Sequence, residues 1–421
     1  MSDRIQAVRG MNDLLPENMG LWHRLESTLR SVGWQYGYQE IRTPLLEKTA
    51  LFTQSIGDQT DIVDKEMYTF TDSGEERLSL RPEATASTVR ACIQHGLLHN
   101  QQRRFWYMGP MFRRERPQKG RYRQFHQFGI EAFGWPGPDI DAEIIRAGER
   151  IWKELEIDGI QLEINTLGSS QSRLAYRNSL QQFLRKNLDQ LDKDSLRRLD
   201  RNPLRILDSK NPDLQELISN APSILDFIQV EEKKHFERLC ESLGKSSINF
   251  SINTRLVRGL DYYTSTVFEW TTKQLGAQNT VCAGGRYDSL VENRGGKPVP
   301  AIGFAMGMER LAELVTAQGK GGGTPGYSIY VIDITGVESS GTVGISEALR
   351  DAGFVVVDHC GGGKLKTRLK RADQSGAEIC IIVGETELEK GVVQVKFMRK
   401  GSDPLELPGS GLVQWCESNI R

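Results

Sequence analysis

The sequence predicts a mixed helix-and-strand molecule in which a large α+β part over residues 1–325 carries a mostly helical insertion at 170–247. A smaller α/β domain follows at 326–421. Three observations predict this. The stretch 107–133, YMGPMFRRERPQKGRYRQFHQFGIEAF, begins apolar, turns strongly cationic over 113–123 and returns to apolar and aromatic residues, which reads as strand, basic loop, strand. Residues 170–250 change character to a Leu-rich tract dense in Lys, Arg, Asp and Glu, broken by Asn-Pro at 202–203 and 211–212. The segment QGKGGGTPG at 318–326 is the clearest linker, and beyond it apolar, β-branched runs alternate with helical segments. A chain of 421 residues accommodates two or three domains with substantial cores.

The elements follow in order. Trp22, Leu25, Leu29 and Val32 have helical spacing across 17–33, closed by Gly33 and Gly37. Residues 38–44 read as a short strand ending at Pro44, and 67–70 and 78–81 flank DSGEE as a hairpin. Pro82 starts a helix through 83–96 with Glu83 in its first turn, where a carboxylate also suits the helix dipole. His95 and His99 stand four apart, but no third ligand and no HExxH pattern accompanies them. A helix at 141–155 and a strand at 160–164 precede the insertion; sheet-like sequence resumes at 248–254 and 264–270, and 301–315 starts as a strand and becomes a helix. After the linker, strands at 328–334, 354–358 and 379–384 alternate with helices at 342–352 and 364–375.

Composition excludes several classes. Hydrophobic content of 38% and charged content of 26% are those of a soluble globular protein, and a net charge of −1 confines any nucleic-acid surface to local patches. The six cysteines, at 92, 240, 282, 360, 380 and 416, form no CxxC pair, which argues against zinc ribbons and a disulfide scaffold and suits a reducing compartment. No run is long enough to span a membrane and MSDRIQAVRG is not a signal peptide, so the cytoplasm is expected. CGGGK at 360–364 has Leu365 where a P-loop needs Ser or Thr, and no GxGxxG is present.

Two stretches have the chemistry of a pocket. By the two-residue period of β structure, Phe125, Gln127 and Glu131 share one face of the second strand while His126, Phe128 and Ile130 take the other; Arg113 and Glu115 share a face of the first. Arginine forks suit phosphate oxygens and an aromatic ring offers a stacking face, so this surface suits a triphosphate and a polar small molecule. A solvated hairpin charged for solubility is the alternative. LVRGLDYY (256–263) and CAGGRYD (282–288) set tyrosines and arginines beside glycine turns in a β-rich segment, a pattern of a ligand pocket more than of a core. Gly303 and Gly307 permit close backbone approach, and Arg310 lies early in the helix that follows.

Taken together these residues resemble the histidyl-tRNA synthetases, a family of class II aminoacyl-tRNA synthetases, over almost the full length. Residues 36–52 with Pro44, the run Phe112-Arg113-Arg114-Glu115 with Arg121 and Phe125, and residues 303–311 with Arg310 are similar to the three class II signatures; LVRGLDYY and AGGRYD are similar to the two histidine-specific ones. The C-terminal unit resembles the anticodon-binding domain of related synthetases, and the HIGH and KMSKS patterns of the other synthetase class are absent. The resemblance implies a catalytic domain on an antiparallel sheet, a homodimer, ATP with Mg2+ and no zinc. It also implies two steps, formation of histidyl-adenylate from ATP and L-histidine and transfer to tRNA(His). It implies Arg113 and Arg258 at the α-phosphate, Arg121 and Arg310 at the distal phosphates, Phe125 stacked on adenine against Arg310, and Glu115 at the adenine edge. Glu83, Thr85 and Gln127 would hold the α-amino group, and Glu131 and Tyr263 would read the imidazole beside Tyr262. Ala84 stands where the family usually has Gly after the Glu of RPE. Arg116, Gln118, Lys119 and Arg123 are candidates for the tRNA acceptor end, and Lys364, Lys366 and Arg368 on the basic C-terminal helix for the anticodon arm.

Rival readings are a regulatory paralogue of histidine biosynthesis, an adenylate-forming ligase acting without tRNA, and a class II enzyme for another amino acid. The presence of Arg113, Arg258 and Arg310, the basic C-terminal unit and LVRGLDYY weigh against them in turn.

Overall fold

Helix α1 (Pro16–Gln35) buries its apolar row of Trp22, Leu25, Leu29 and Val32, each at 4% exposure or less. Its Pro16 sits in the first turn, where a missing N–H costs nothing. This is the computed structural model of the chain, and it describes residues 4–57, 60–209, 211–275, 279–320, 328–335, 340–399 and 403–420. Two units divide the chain, Met1–Gly322 and Gly323–Arg421.

The first unit holds eleven strands among its described residues: β1 (Gln39–Glu40), β2 (Leu46–Lys48), β3 (Tyr68–Thr71), β4 (Arg77–Leu80), β5 (Arg103–Phe112), β6 (Gln124–Phe133), β7 (Gln161–Thr166), β8 (Phe250–Ile252), β9 (Thr264–Thr271), β10 (Thr280–Arg286) and β11 (Ala301–Gly307). Eight form one sheet in the order β1-β5-β6-β11-β10-β9-β7-β8; the other three make a small sheet, β2-β4-β3. Every pairing from β5 through to β7 is antiparallel, and only the outer pairs β1·β5 and β7·β8 are parallel. Phe128 and Ile130 of β6 face a core shared with α1 and α4 (Pro138–Glu154). Gln127 and Glu131 therefore point to the opposite face.

The tract expected to be helical forms α5 (Ser170–Arg185), α6 (Lys193–Arg201), α7 (Gln215–Ser219) and α8 (Val230–Lys245), joined by short 3₁₀ turns. Tyr176, Leu180, Leu184, Leu199, Ile206 and Leu217 give it a core of its own. Two sequence expectations are corrected. The strand expected at 38–44 is only the two-residue β1, whose residues pair beside Phe105 and Trp106 at the sheet edge. Arg113 and Glu115 do not share a strand face, because β5 ends at Phe112. There the backbone leaves the ladder: the Arg113 N–H donates to Arg123 O and the Arg114 N–H to Glu66 O.

In the second unit, β12 (Ile329–Asp333), β13 (Val356–Asp358), β14 (Ile379–Val383), β15 (Val392–Phe397) and β16 (Leu405–Pro408) form a sheet ordered β13-β12-β14-β15-β16. The first three strands are parallel and the last two antiparallel, so the sheet is mixed. Residues 321–326 of the expected linker lie outside the described residues.

Candidate active site

Glu131 is the centre of the site. It lies on β6, is 1% exposed, and accepts three hydroxyl hydrogen bonds: from Thr85 at 2.6 Å and Tyr107 at 3.3 Å on Oε1, and from Tyr287 on Oε2. Burial pushes its carboxyl up to about 8, against the pull of the Thr85 and Tyr287 hydroxyls. The neighbouring backbone is shaped for it. A Cβ on Gly303 of β11 would stand 1.7 Å from Glu131 Oε2, and one on Gly129 would stand 2.4 Å from the Tyr107 hydroxyl. Gly284 of β10 would meet the Gly303 carbonyl at 2.2 Å. Gly129 and Gly303, on neighbouring strands and on the Glu131 face, thus leave room for these side chains beneath a cavity of about 160 Å3 lined by Glu83, Thr85, Gln127, Glu131, Tyr262, Tyr263 and Tyr287, whereas Gly284 lies on the core face against Phe268 and Phe304.

Glu83 is buried just ahead of helix α3 (Thr85–Gln94) and accepts from the Thr85 and Ala86 N–H groups at 2.6 and 3.0 Å. Burial raises its carboxyl, and those two N–H groups oppose the rise. The helix-cap reading and the pocket reading of Glu83 thus describe one side chain doing both. Gln127 Oε1 is buried and, among the described residues, accepts no hydrogen bond. Two buried carboxyl groups and a buried amide oxygen make this end of the cavity suited to a group that donates hydrogen bonds and can carry positive charge.

The other end is cationic. Arg113 and Arg258 line the cavity and also an adjoining cleft of about 980 Å3 that contains Glu66, Glu115, Arg121 and Glu269. The Arg113 Nε donates to Pro82 O at 2.9 Å, and its guanidinium lies 5.2 Å from the Phe125 ring centroid. Arg121 pairs with Glu115 at 2.8 Å. Arg310 is buried beside Gly120, and burial with the nearby Arg121 charge brings it down to about 10. Arg258 donates to Glu269 at 3.0 Å and faces the Tyr263 ring at 5.8 Å.

Most of the residues expected from the sequence converge here. Some details differ. Thr85 bonds to Glu131, and the tyrosine hydroxyls that reach Glu131 come from Tyr107 and Tyr287. Tyr262 and Tyr263 pack ring to ring at 4.7 Å, and burial pushes the Tyr263 phenol up to about 12. Phe125 lies against the Arg113 guanidinium. Arg286 of AGGRYD, read as part of the pocket, is instead a buried anchor: Nη2 stands 2.6 Å from Asp141 Oδ1, with further bonds to the Trp135 and Gly137 carbonyls. Tyr287 and Glu66 were not singled out from the sequence. The signal for Tyr287 was present in AGGRYD, but which tyrosine meets Glu131 depends on the β10–β11 register.

Of the candidate tRNA residues, Arg116, Gln118, Lys119, Lys364 and Lys366 are exposed. Arg123 is turned inward, its backbone tied to Gly10 O and its Nε donating to Glu115 O. Arg368 is committed to the Gly363 and Asp333 carbonyls. Among the described residues, no group of three His, Cys, Asp or Glu side chains could hold a metal ion, and no helix is long and apolar enough to cross a membrane.

A family model described as histidyl-tRNA synthetase matches residues 10–311. The chain belongs to the histidyl-tRNA synthetase family. An anticodon-binding-domain model matches residues 330–419. The chain is similar to the apo histidyl-tRNA synthetase of S. aureus, with 32% identity, a TM-score of 0.81 and coverage of 98% of this chain and 99% of that one. It shares the fold of the histidyl-tRNA synthetase of Nostoc sp. PCC 7120, at 21% identity and a TM-score of 0.71, covering 99% and 100% of the two chains. A Bacillus halodurans C structure titled an ATP phosphoribosyltransferase regulatory subunit/histidyl-tRNA synthetase shares it too, at 21% identity and a TM-score of 0.68, covering 91% and 99%. The protein is thus a class II histidine–tRNA ligase: it uses ATP to form histidyl-adenylate and passes the histidyl group to tRNA(His).

Proposed function

We propose that the small cavity is the histidine site, the adjoining cleft is the ATP site, and activation occurs where Arg113 and Arg258 join them. The observation that supports this is the polarity of the cavity, with buried carboxylates at one end and two arginines at the other. In this reading the α-ammonium group donates to Glu83 and Gln127 Oε1, with Thr85 beside them. The imidazole lies against Glu131, within the ring of Tyr262, Tyr263 and Tyr287. The substrate carboxylate is thereby left facing the arginines, aligned for in-line attack on the α-phosphorus.

As the new bond forms, negative charge grows on the α-phosphate oxygens. Arg113 and Arg258 stabilise it from fixed positions, and loss of one such donor costs about 3–4 kcal/mol of transition-state energy. Arg121 and Arg310 hold the departing pyrophosphate. Phe125 stacks on adenine and Glu115 reads its edge, which requires Glu115 to release its Arg121 partner. Mg2+ would accompany ATP and offset its phosphate charge, and Glu66, whose carboxyl burial and the nearby Glu115 both raise, would add negative charge beside it in that cleft. Transfer then joins the histidyl group to the terminal adenosine of tRNA(His). Arg116, Gln118 and Lys119 would contact the acceptor end, and Lys364 and Lys366 the anticodon arm. We place residues 1–325 as the catalytic domain with its 170–247 insertion and 326–421 as the anticodon-binding domain, working as a cytoplasmic homodimer.

ATP–pyrophosphate exchange run with each of the twenty amino acids, without tRNA, tests the site assignment. Exchange with histidine alone, abolished by Glu131→Ala and slowed by Arg113→Ala at unchanged fold, is expected. Unaltered histidine KM in Glu131→Ala would sink it.

A further inference from the structure

Arg258 sits on the 253–263 segment, which belongs to no strand, so its guanidinium needs a support outside its own backbone. Its Nε is buried and, among the described residues, has no hydrogen-bond partner, and its guanidinium pairs with Glu269. Glu269 stands on β9, paired on one side with β7 and on the other with β10, so its backbone is fixed by two ladders. Its Oε2 accepts from Arg258 Nη1 at 3.0 Å and from the Thr280 hydroxyl at 3.2 Å.

The cost of placing a carboxylate there is visible. Glu269 lies directly across from Glu163 of β7, and like charges facing each other across strands destabilise a sheet. Glu163 in turn accepts from the Asn253 side chain, at the start of the same segment. Two carboxylates on neighbouring strands thus hold the segment at two points, one at its root and one at the guanidinium. A pair serving only to neutralise charge would not need two acids side by side.

We propose that Glu269 is the positioning residue for Arg258: by fixing Nη1, it aims the other N–H groups of the guanidinium at the junction of the cavity and the cleft. This deepens the reading of Arg258 as an α-phosphate ligand and rests on it. Although Glu269 lines the cleft, the role assigned to it acts through Arg258 and not through a substrate contact.

The test is a double-mutant cycle in histidine-dependent ATP–pyrophosphate exchange on the full-length protein, with melting temperature as a fold control. Glu269→Ala is expected to lower kcat about 100-fold, the size of effect that follows a small misplacement of a catalytic group. KM for histidine and ATP should stay within a few-fold, and Glu269→Gln, which keeps an acceptor, should recover part of the rate. In an Arg258→Ala background, Glu269→Ala should cost nothing further, because the group it positions is gone. Near-wild-type kcat in Glu269→Ala, or a loss that multiplies fully in the double variant, would overturn the proposal while leaving Arg258 in place. A near-wild-type rate in Arg258→Ala alone would instead remove Arg258, and the proposal with it. Should Glu269→Ala not fold, Glu269→Gln carries the cycle: a loss of roughly tenfold from weakening the charge-assisted bond, absent in the Arg258→Ala background, supports it, and the same loss in both backgrounds overturns it.

Discussion

Burial raises the Glu131 carboxyl from its ordinary value of 4.5 to about 8. Between those values the native state binds one proton more than the unfolded chain, so this residue's contribution to stability falls as pH rises through the window. Glu131→Gln should flatten that slope in chemical denaturation of the ligand-free protein; parallel curves for the two proteins would refute the shift. Asp141 shows the opposite balance. Burial opposes its ionisation, but the His235 bond and the Arg286 charge outweigh burial and hold the carboxyl below its usual range. Asp141→Ala would strip buried Arg286 of its buried carboxylate, leaving it Asp288 at 3.3 Å and two carbonyls, and the expected loss, measured by urea denaturation, is about 3 kcal/mol. At this scale the sequence was informative where a side chain's face follows from strand period, as for Gln127 and Glu131. It was silent where a partner comes from a distant strand, as for Tyr287, or where an arginine's destination lies across the fold, as for Arg286.

The segment 253–263 is an element without regular structure, and its supports come from elsewhere. Asn165 donates to Leu256 O at 3.1 Å, and Arg173 of α5 donates to Tyr263 O at 2.8 Å. The helical insertion therefore grips the backbone of a pocket residue. Arg173→Ala should raise KM for histidine several-fold while leaving KM for ATP nearly unchanged in the exchange assay; an equal rise in both would mean that the insertion supports the fold generally. The long strands, the α1 row and the α/β alternation were legible because their periodicity extends over many residues. The end of β5 at Phe112 was not, since it is set by bonds to Glu66 and Arg123 across the loop.

Taken whole, a chain of net charge −1 that acts on a polyanion must gather its positive charge locally. Amino-acid activation should accordingly change little between 50 and 200 mM salt, whereas KM for tRNA should rise roughly tenfold or more. Charge-neutral variants at Lys119 or Lys364 should each reduce the salt slope by about one contact, measured as log KM against log salt. Division into two units was legible from the Gly-rich stretch before residue 327, but the pairing order of the large sheet was not, because β11 pairs with β6 across the intervening residues 134–300, about half the unit. The space left by Gly129 and Gly303 on the Glu131 face has a genetic consequence. In a growth selection that depends on this enzyme, these two positions should tolerate replacement no better than Glu131 does. Recognition of the substrate would then be encoded as much by atoms the chain omits as by those it presents.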